Sequence, residues 1–264
     1  MFPGMPPQRD TIVLYGGGGH GRVLIDLLRA QDTYRLVGVV DDHLSPGDDV
    51  LGVPVLGGPE VLAELRSQGV ALAVNGIGGI GRIQSRIDIF DRLTAAKLSC
   101  PALVHPAALV EPSATLAAGV QVLALAYVGS AADVGFGSLL NTAAVVSHDC
   151  VLGRYANVSP GGLLAGEVRL GDRAMVGMGA TVNVGVAVGE GALIGNSAVV
   201  KADVPDGVRV RAGHLWPVDA SPAGGVEEQG HSIANAGPGH HPGGGQDQAR
   251  LPPFLDGPAD ELGP

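Results

Sequence analysis

The chain has 264 residues, a formal net charge of −10, only 16% charged and 3% aromatic residues, and 43 glycines. This balance offers no basic field to neutralise a nucleic-acid backbone, and without an apolar run of about 18 residues no membrane-spanning helix is expected. The opening MFPGMPPQRD has no basic region leading into an apolar stretch, so no secretion signal is expected either. The two cysteines, Cys100 and Cys150, make no disulfide framework and read as small apolar residues of a reducing cytoplasm.

Residues 1–10 read as a loose leader. Thr11–Tyr15 (TIVLY) predicts a strand, and it ends in the run Gly16-Gly17-Gly18-Gly19-His20-Gly21. Arg22–Ala30 then has amphipathic helix spacing, and Leu36–Val40 is a second buried strand followed by Asp41 and Asp42. Val53–Leu56 predicts a short strand, Pro59–Ser67 a helix, Ala71–Val74 a strand and Arg82–Lys97 a helix. This alternation predicts a small parallel α/β domain with a Rossmann-like start over residues 11–100. The glycine run leaves amide N–H groups free near a helix N-terminus, which favours an anionic group. It is a poor G-x-G-x-x-G fingerprint, which argues against an NAD-dependent enzyme. The acidic pair about 20 residues on lies where such residues contact ribose hydroxyls. Together these features predict a nucleotide site, against the plainer reading of a tight strand-to-helix turn with no ligand.

From Val104 to Val200 every sixth residue is Val, Leu or Ile, 17 positions without a break. That period fits neither a helix nor an alternating strand. It fits a β-helix whose short flat strands each turn one aliphatic inward. Three hexads make one triangular coil of 18 residues, so this stretch holds between five and six coils. Seven inward positions are followed by glycine (Gly129, Gly135, Gly153, Gly171, Gly177, Gly189 and Gly195), which suggests glycines taking positive φ at the corners. The register is expected to end at Asp206, with Val208–Val210 closing the last coil, and the solenoid is assigned to residues 101–217. Over residues 218–264 Gly, Pro, Gln and His dominate; this composition is expected to stay disordered, with Leu251–Leu255 able to dock on the body. His231, His240 and His241 in this tail read as incidental, and no metal is expected.

One solenoid segment departs from its uniform surroundings. In Asn141–Gly153 (NTAAVVSHDCVLG), His148 and Asp149 directly follow inward Val146. Adjacent residues on a strand point in different directions, yet across a corner Asp149 can reach one ring nitrogen, fix the tautomer and raise the basicity of the other. An ordinary imidazole titrates near pH 6.5, which suits a general base. The alternative is ordinary surface polarity. A zinc enzyme of the γ-carbonic-anhydrase type shares the solenoid but needs about three His ligands, and residues 104–200 hold only His105 and His148.

Several segments together resemble the hexapeptide-repeat acyltransferases, specifically the bacterial sugar O-/N-acetyltransferases of the sialic-acid and nucleotide amino-sugar type. They are YGGGGHGRV near the start, VVDD after the second strand, GVPVLGG at Gly52–Gly58, LVHPAALVEPSA at the crossing into the solenoid, and NTAAVVSHDCVLG. The resemblance spans Thr11 to Pro217. It implies a Rossmann-like sugar-nucleotide-binding domain followed by a left-handed parallel β-helix. It also implies a homotrimer with inter-subunit active sites, and acetyl-CoA as co-substrate. His148 matches the catalytic base and Asp149 its acidic support. Gly18, Gly19, His20, Asp41, Asp42 and Gly76 match substrate-binding positions, and Asn157, Met178 and Asn196 match acetyl-CoA-contacting ones. The sequence departs from the pattern at Asn157, where many relatives carry a second His, and at Ala212–Pro217, which replaces the usual ending.

The expected activity is acetyl transfer from acetyl-CoA to the amino group of a nucleotide-linked sugar, a 4-amino sugar above all, in glycan biosynthesis in the cytoplasm. Two alternatives stand beside it: O-acetylation of a sialic-acid-type sugar, and a non-catalytic sugar-nucleotide-binding scaffold.

Overall fold

The computed structural model describes residues 10–79, 81 and 83–217, all within one compact unit. The expectations for the leader before Asp10 and for the tail, including His231, His240, His241 and Leu251–Leu255, lie outside the described residues.

The chain opens with β1 (Thr11–Tyr15), α1 (Gly19–Gln31), β2 (Arg35–Val40), the short pair β3 (Asp49–Val50) and β4 (Val53–Gly57), a 3₁₀ turn at Pro59–Val61, α2 (Leu62–Ser67), β5 (Leu72–Asn75) and α3 (Ile83–Ala95). The sheet order is β3-β4-β2-β1-β5. β4, β2, β1 and β5 pair in parallel, and β3 joins β4 antiparallel at one edge. Alternation along β1 divides the core. Ile12 and Leu14 pack with Leu24, Ile25, Leu27 and Leu28 of α1, while Val13 and Tyr15 pack with Leu62 and Leu65 of α2 and Ile89 and Leu93 of α3.

From Leu103–Val104 to Leu215–Trp216 the chain forms two-residue strands in three parallel sheets of seven, five and seven strands. Each strand pairs with the one a full coil away, as in Val104↔Val122 and Val122↔Leu140. The fold class is the expected one, a Rossmann-like α/β domain followed by a left-handed parallel β-helix. The hexad aliphatics fill the core. All are buried from Val122 onward, whereas Val104, Val110 and Leu116 are half-buried because no coil lies beneath them. A second inward position two residues earlier takes small or slim side chains, including Ala126, Ala132, Ala144, Cys150 and Ala156. Cys150 is therefore a core residue, and its thiol donates to Ala165 O at 3.2 Å.

The corners differ from expectation in two ways. Positive φ falls on the third residue after the inward aliphatic, not the first. Leu125, Ala131, Asp149, Tyr155 and Glu167 all adopt φ between 57° and 63°. The glycines directly after the inward residues answer a different constraint, the close stacking of successive coils. A Cβ on Gly129 would lie 2.6 Å from Ser147 C, one on Gly171 2.5 Å from Glu190 N, and one on Gly195 2.4 Å from Ala212 N. Val210 pairs as the expected closing strand, and Trp216 carries the repeat one strand further. Val204 bridges Val188, Val210 pairs with Ile194 and Trp216 with Val200, each two residues short of the 18-residue spacing. One corner after Val200 is shortened, and the core phase then resumes.

The two parts meet on the outer face of the sheet that carries Leu103, Gln121, Leu139 and Asn157. Leu103, Leu123 and Leu139 join the apolar cluster on the α1 side of the α/β sheet. Arg86 of α3 is 1% exposed; it donates from Nε and Nη2 to Gly137 O at 3.2 and 3.1 Å and from Nη1 to Ile77 O. It also lies over the Phe90 ring, 5.2 Å from its centroid. Burial lowers its pKa to about 10, so the guanidinium stays charged at neutral pH and ties both parts together through carbonyl groups.

Candidate functional site

A cavity of about 660 Å³ opens where β1 turns into α1, lined by Tyr15, Gly16–His20, Asp41, Asp42, Gly76–Gly78 and Ile89 among others. The glycines around it do different jobs. A Cβ on Gly21 would fall 2.0 Å from Gly16 O, and one on Gly76 2.5 Å from the same oxygen, so these two allow the turn and the neighbouring loop to pack closely. A Cβ on Gly18 or Gly19 would meet nothing within 4 Å; their missing side chains leave the cavity floor open. Gly18 is the N-cap of α1 with no side-chain cap and no acidic residue in the first turn. The first-turn amides therefore face the cavity unneutralised, the arrangement that holds phosphate.

Asp41 and Asp42 are both engaged within the chain. Asp41 Oδ2 accepts from Gly17 N at 2.7 Å, and its Oδ1 accepts from His43 N at 2.8 Å and Leu44 N at 3.2 Å. It braces the loop after β2 against the glycine turn. Asp42 Oδ1 accepts from Tyr15 Oη at 2.6 Å and pairs with Arg92 Nη1 at 3.0 Å; Arg92 also donates to Tyr15 Oη. Burial, with the Asp42 hydrogen bond, pushes the Tyr15 phenol up to about 12, so it remains a donor.

His20 stands at the start of α1 with Nε2 2.8 Å from Gln121 Oε1. Burial lowers its pKa to about 4, an effect the hydrogen bond to Gln121 opposes and Arg86 reinforces. The ring is neutral at pH 7.

His148 and Asp149 form a hydrogen-bonded pair, Nδ1 to Oδ2 at 2.7 Å, with both side chains 59% exposed. Asp149 occupies the positive-φ corner position, φ 58°, and this backbone turns its carboxylate back onto the preceding ring. With Nδ1–H donated to the carboxylate, the Nε2 lone pair is free. Below the ring lies Gly166, the same corner position one coil on; a Cβ there would come within 2.5 Å of His148 Cε1 and Nε2.

The structure does not bring all the sequence-marked residues together. No β-helix residue lines the cavity. The α/β part covers one face of the triangular coil, and His148 sits on the corner between the other two, the vertex farthest from that face. Asn157 lies on the covered face, 3% exposed, with both amide atoms lacking hydrogen-bond partners among the described residues. Its Nδ2 would be 2.7 Å from a Cβ on Gly79. Met178 and Asn196 share a corner column on successive coils, where Asn196 Oδ1 accepts from Met178 N at 2.9 Å. Asp172 and Asp206 make the same brace to Arg154 N and Glu190 N, so Asn196 helps stack the coils. Among the described residues there is no group of three or more His, Cys, Asp or Glu that could hold a metal, and no helix is long and apolar enough to cross a membrane.

A family model described as PglD N-terminal domain matches residues 11–93. PerB, the perosamine N-acetyltransferase of Caulobacter crescentus, solved in complex with CoA and GDP-perosamine, is 36% identical; the match covers 77% of this chain and 94% of PerB with a TM-score of 0.72. The chain belongs to the sugar N-acetyltransferase family. The acetyltransferase domain of PglB from Neisseria gonorrhoeae FA1090, solved with acetyl coenzyme A, is 33% identical, with 78% of this chain and 98% of that domain covered and a TM-score of 0.71. UDP-N-acetylbacillosamine N-acetyltransferase of Bacillus subtilis strain 168 is 30% identical over 117 residues, 43% of this chain. This chain spans about half, 51%, of that curated relative's length.

Sequence reasoning passed over Gln121, Arg86 and Gly166. Gln121 carries a signal, as a polar residue in the outward strand position whose counterpart one coil on is Leu139. Gly166 carries one too, since it stands 18 residues, one coil, after His148. Arg86 sits among ordinary helix residues and gives no sign of burial.

Proposed function

We propose that the protein is an acetyl-CoA-dependent N-acetyltransferase that modifies the amino group of a nucleotide-linked sugar, with 4-amino sugars as the preferred class. The observation that carries this reading is the His148–Asp149 pair, set on an exposed corner with Nε2 free, in a chain whose other part presents an open helix N-terminus in a nucleotide-sized cavity. The identity to an enzyme solved with CoA and GDP-perosamine supports it.

In this mechanism the substrate diphosphate lies against the Gly18–Gly19 amides, and Gly76, Asp41 and Asp42 shape the rest of the pocket. The sugar amine attacks the thioester carbonyl carbon. His148 Nε2 takes the proton from nitrogen while Asp149 holds Nδ1–H, the carbon–sulfur bond breaks, and His148 passes that proton to the sulfur so that CoA leaves as the thiol. A backbone N–H meets the developing oxyanion, because Asn157 is buried on the covered face away from the His148 corner; Met178 and Asn196 lie along the donor.

His148 faces away from the cavity of its own chain, so the reading requires a second copy. We assign a homotrimer in which the His148 of one subunit meets the cavity of the next. The outward ladder that includes Leu109, Leu163 and Leu215, respectively 57%, 40% and 38% exposed, supplies an apolar face for that assembly. A cytoplasmic location accords with the donor.

The test is thiol release from acetyl-CoA against a panel of UDP-, GDP- and dTDP-linked 4-amino sugars, with free sialic acid included. Turnover on a nucleotide amino sugar is expected, and His148→Ala should lower it by about 10²–10⁴-fold while leaving nucleotide binding unchanged. Full activity in that variant overturns the assignment of the base. Turnover on free sialic acid alone indicates O-acetylation. Nucleotide binding without any transfer indicates a scaffold.

A further inference from the structure

His20 lines the cavity and, among the described residues, its ring makes one hydrogen bond, through Nε2, to Gln121 Oε1 at 2.8 Å. Gln121 belongs to the β-helix and is 2% exposed. Its amide cannot turn freely, because Nε2 donates to Asn75 O at 2.8 Å. Asn75 is fixed in turn: Nδ2 donates to Arg86 O at 2.8 Å, and Oδ1 accepts from Ile77 N at 3.0 Å. Both atoms of the Gln121 amide are thereby assigned. Nitrogen faces Asn75, and the oxygen, an acceptor, faces the imidazole.

An acceptor opposite Nε2 requires a proton on Nε2. A neutral imidazole carries one N–H, so Nδ1 is bare, and it has no partner among the described residues. Burial keeps the ring neutral, and Arg86, the charged group acting on it, works in the same direction.

We propose that Gln121 is a positioning residue that locks His20 in the Nε2–H tautomer, so that Nδ1 is presented to the cavity as a hydrogen-bond acceptor for a hydroxyl or amino group of the acceptor substrate. A phosphate oxygen has no proton to offer this atom, whereas the amides at Gly18 and Gly19 have only protons to offer. The cavity therefore has two poles of opposite hydrogen-bonding sense. Phosphate goes to the helix N-terminus, and a donor-bearing sugar or ribose group goes to the seam with the β-helix. The tautomer stands on the hydrogen-bond geometry and the burial of the ring; the identity of the group that Nδ1 receives rests on the proposed acetyl-transfer reading.

The experiment uses the full-length protein labelled with ¹⁵N-histidine, with the His20 signal assigned by its loss in His20→Gln. Long-range ¹H–¹⁵N spectra at pH 7 are expected to show His20 with a protonated Nε2 and an unprotonated Nδ1. Gln121→Leu should release the lock and mix the tautomers. Gln121→Glu should give a ring protonated on both nitrogens; if that buried carboxylate prevents folding, the leucine variant decides. In the transfer assay the leucine variant should raise KM for the turned-over amino sugar about tenfold, the size of one hydrogen bond, with kcat and KM for acetyl-CoA little changed. A wild-type ring protonated on Nδ1, or a tautomer unaffected by Gln121→Leu, overturns the proposal. If no panel member is acetylated, the transfer reading fails while the spectra still decide the tautomer. A loss confined to kcat would show that Nδ1 does not bind the substrate.

Discussion

At the scale of single residues the proposed catalytic corner depends on a missing side chain. His148 can lie flat over the next coil because Gly166 has no Cβ to occupy that place. Gly166→Ala should displace the imidazole. The ring is exposed and can swing outward, so stability should change by less than about 1 kcal/mol, while turnover falls on the order of a hundredfold; thermal melts and steady-state rates measured together check both halves. His20 gives a second prediction. Its pKa falls from 6.5 unfolded to about 4 folded, so between those values the unfolded chain binds more protons and stability decreases as pH falls. The full loss, reached below pH 4, is on the order of 3 kcal/mol. Carboxylates also titrate in this range, so the check is urea unfolding of the protein and of His20→Asn at several pH values, where the variant should show the shallower dependence. The sequence made one of these residues plain and hid the rest for a physical reason. His148 and Asp149 are adjacent, so their pairing could be inferred. Gln121 lies 101 positions from His20, and only the folded seam brings the two together.

At the scale of elements, the six-residue period was legible because core packing imposes it on every strand. The corner rule was not, because two unlike demands on glycine look the same in a sequence. Stacked corners exclude a Cβ at one position, whereas another needs left-handed backbone, which Asp149, Tyr155 and Ser197 also supply. Substitution separates the two. Gly191→Asn, with φ 63° and open space, should be nearly neutral, since Asn tolerates that backbone. Gly171→Asn, whose Cβ would meet the Glu190 backbone at 2.5 Å, should destabilise by about 1–3 kcal/mol or more. Chemical denaturation of the two variants side by side tests the rule. In the α/β part the strands and helices were legible from apolar spacing. The use of Asp41 as a loop brace was not, because an Asp after a Rossmann-type strand looks the same whether it faces a ribose or its own backbone.

At the scale of the whole molecule, the proposed chemistry is divided between copies. Leu163→Lys places a charge on the exposed apolar ladder without touching the core of its own coil. It should shift the protein toward monomer in light scattering and lower turnover at least a hundredfold, with nucleotide affinity retained. Monomers that keep full turnover would show that one chain completes its own site. In the sequence this division is implied by the family resemblance and not by the strand residues, because an outward Leu reads the same whether water or another subunit covers it.

The repeat also acts as a kind of reading frame. Insertion or loss of six residues would leave every inward aliphatic inward, so the core would tolerate it, yet everything downstream would rotate onto the next face. Only a change of 18 residues restores each face, displacing the downstream part along the axis by one strand spacing, about 4.8 Å. The contacts at Gln121 and Gly137 and the corner at His148 lie on neighbouring coils, and no frame-shifting change is admissible between them. After Asn196 that restriction lifts, and there the chain drops two residues from its corner between Val200 and Val204. Length variation in such a molecule is expected to accumulate at the far end of the stack, in whole coils or at a final irregular turn, with the distance between the two halves of the site left unchanged.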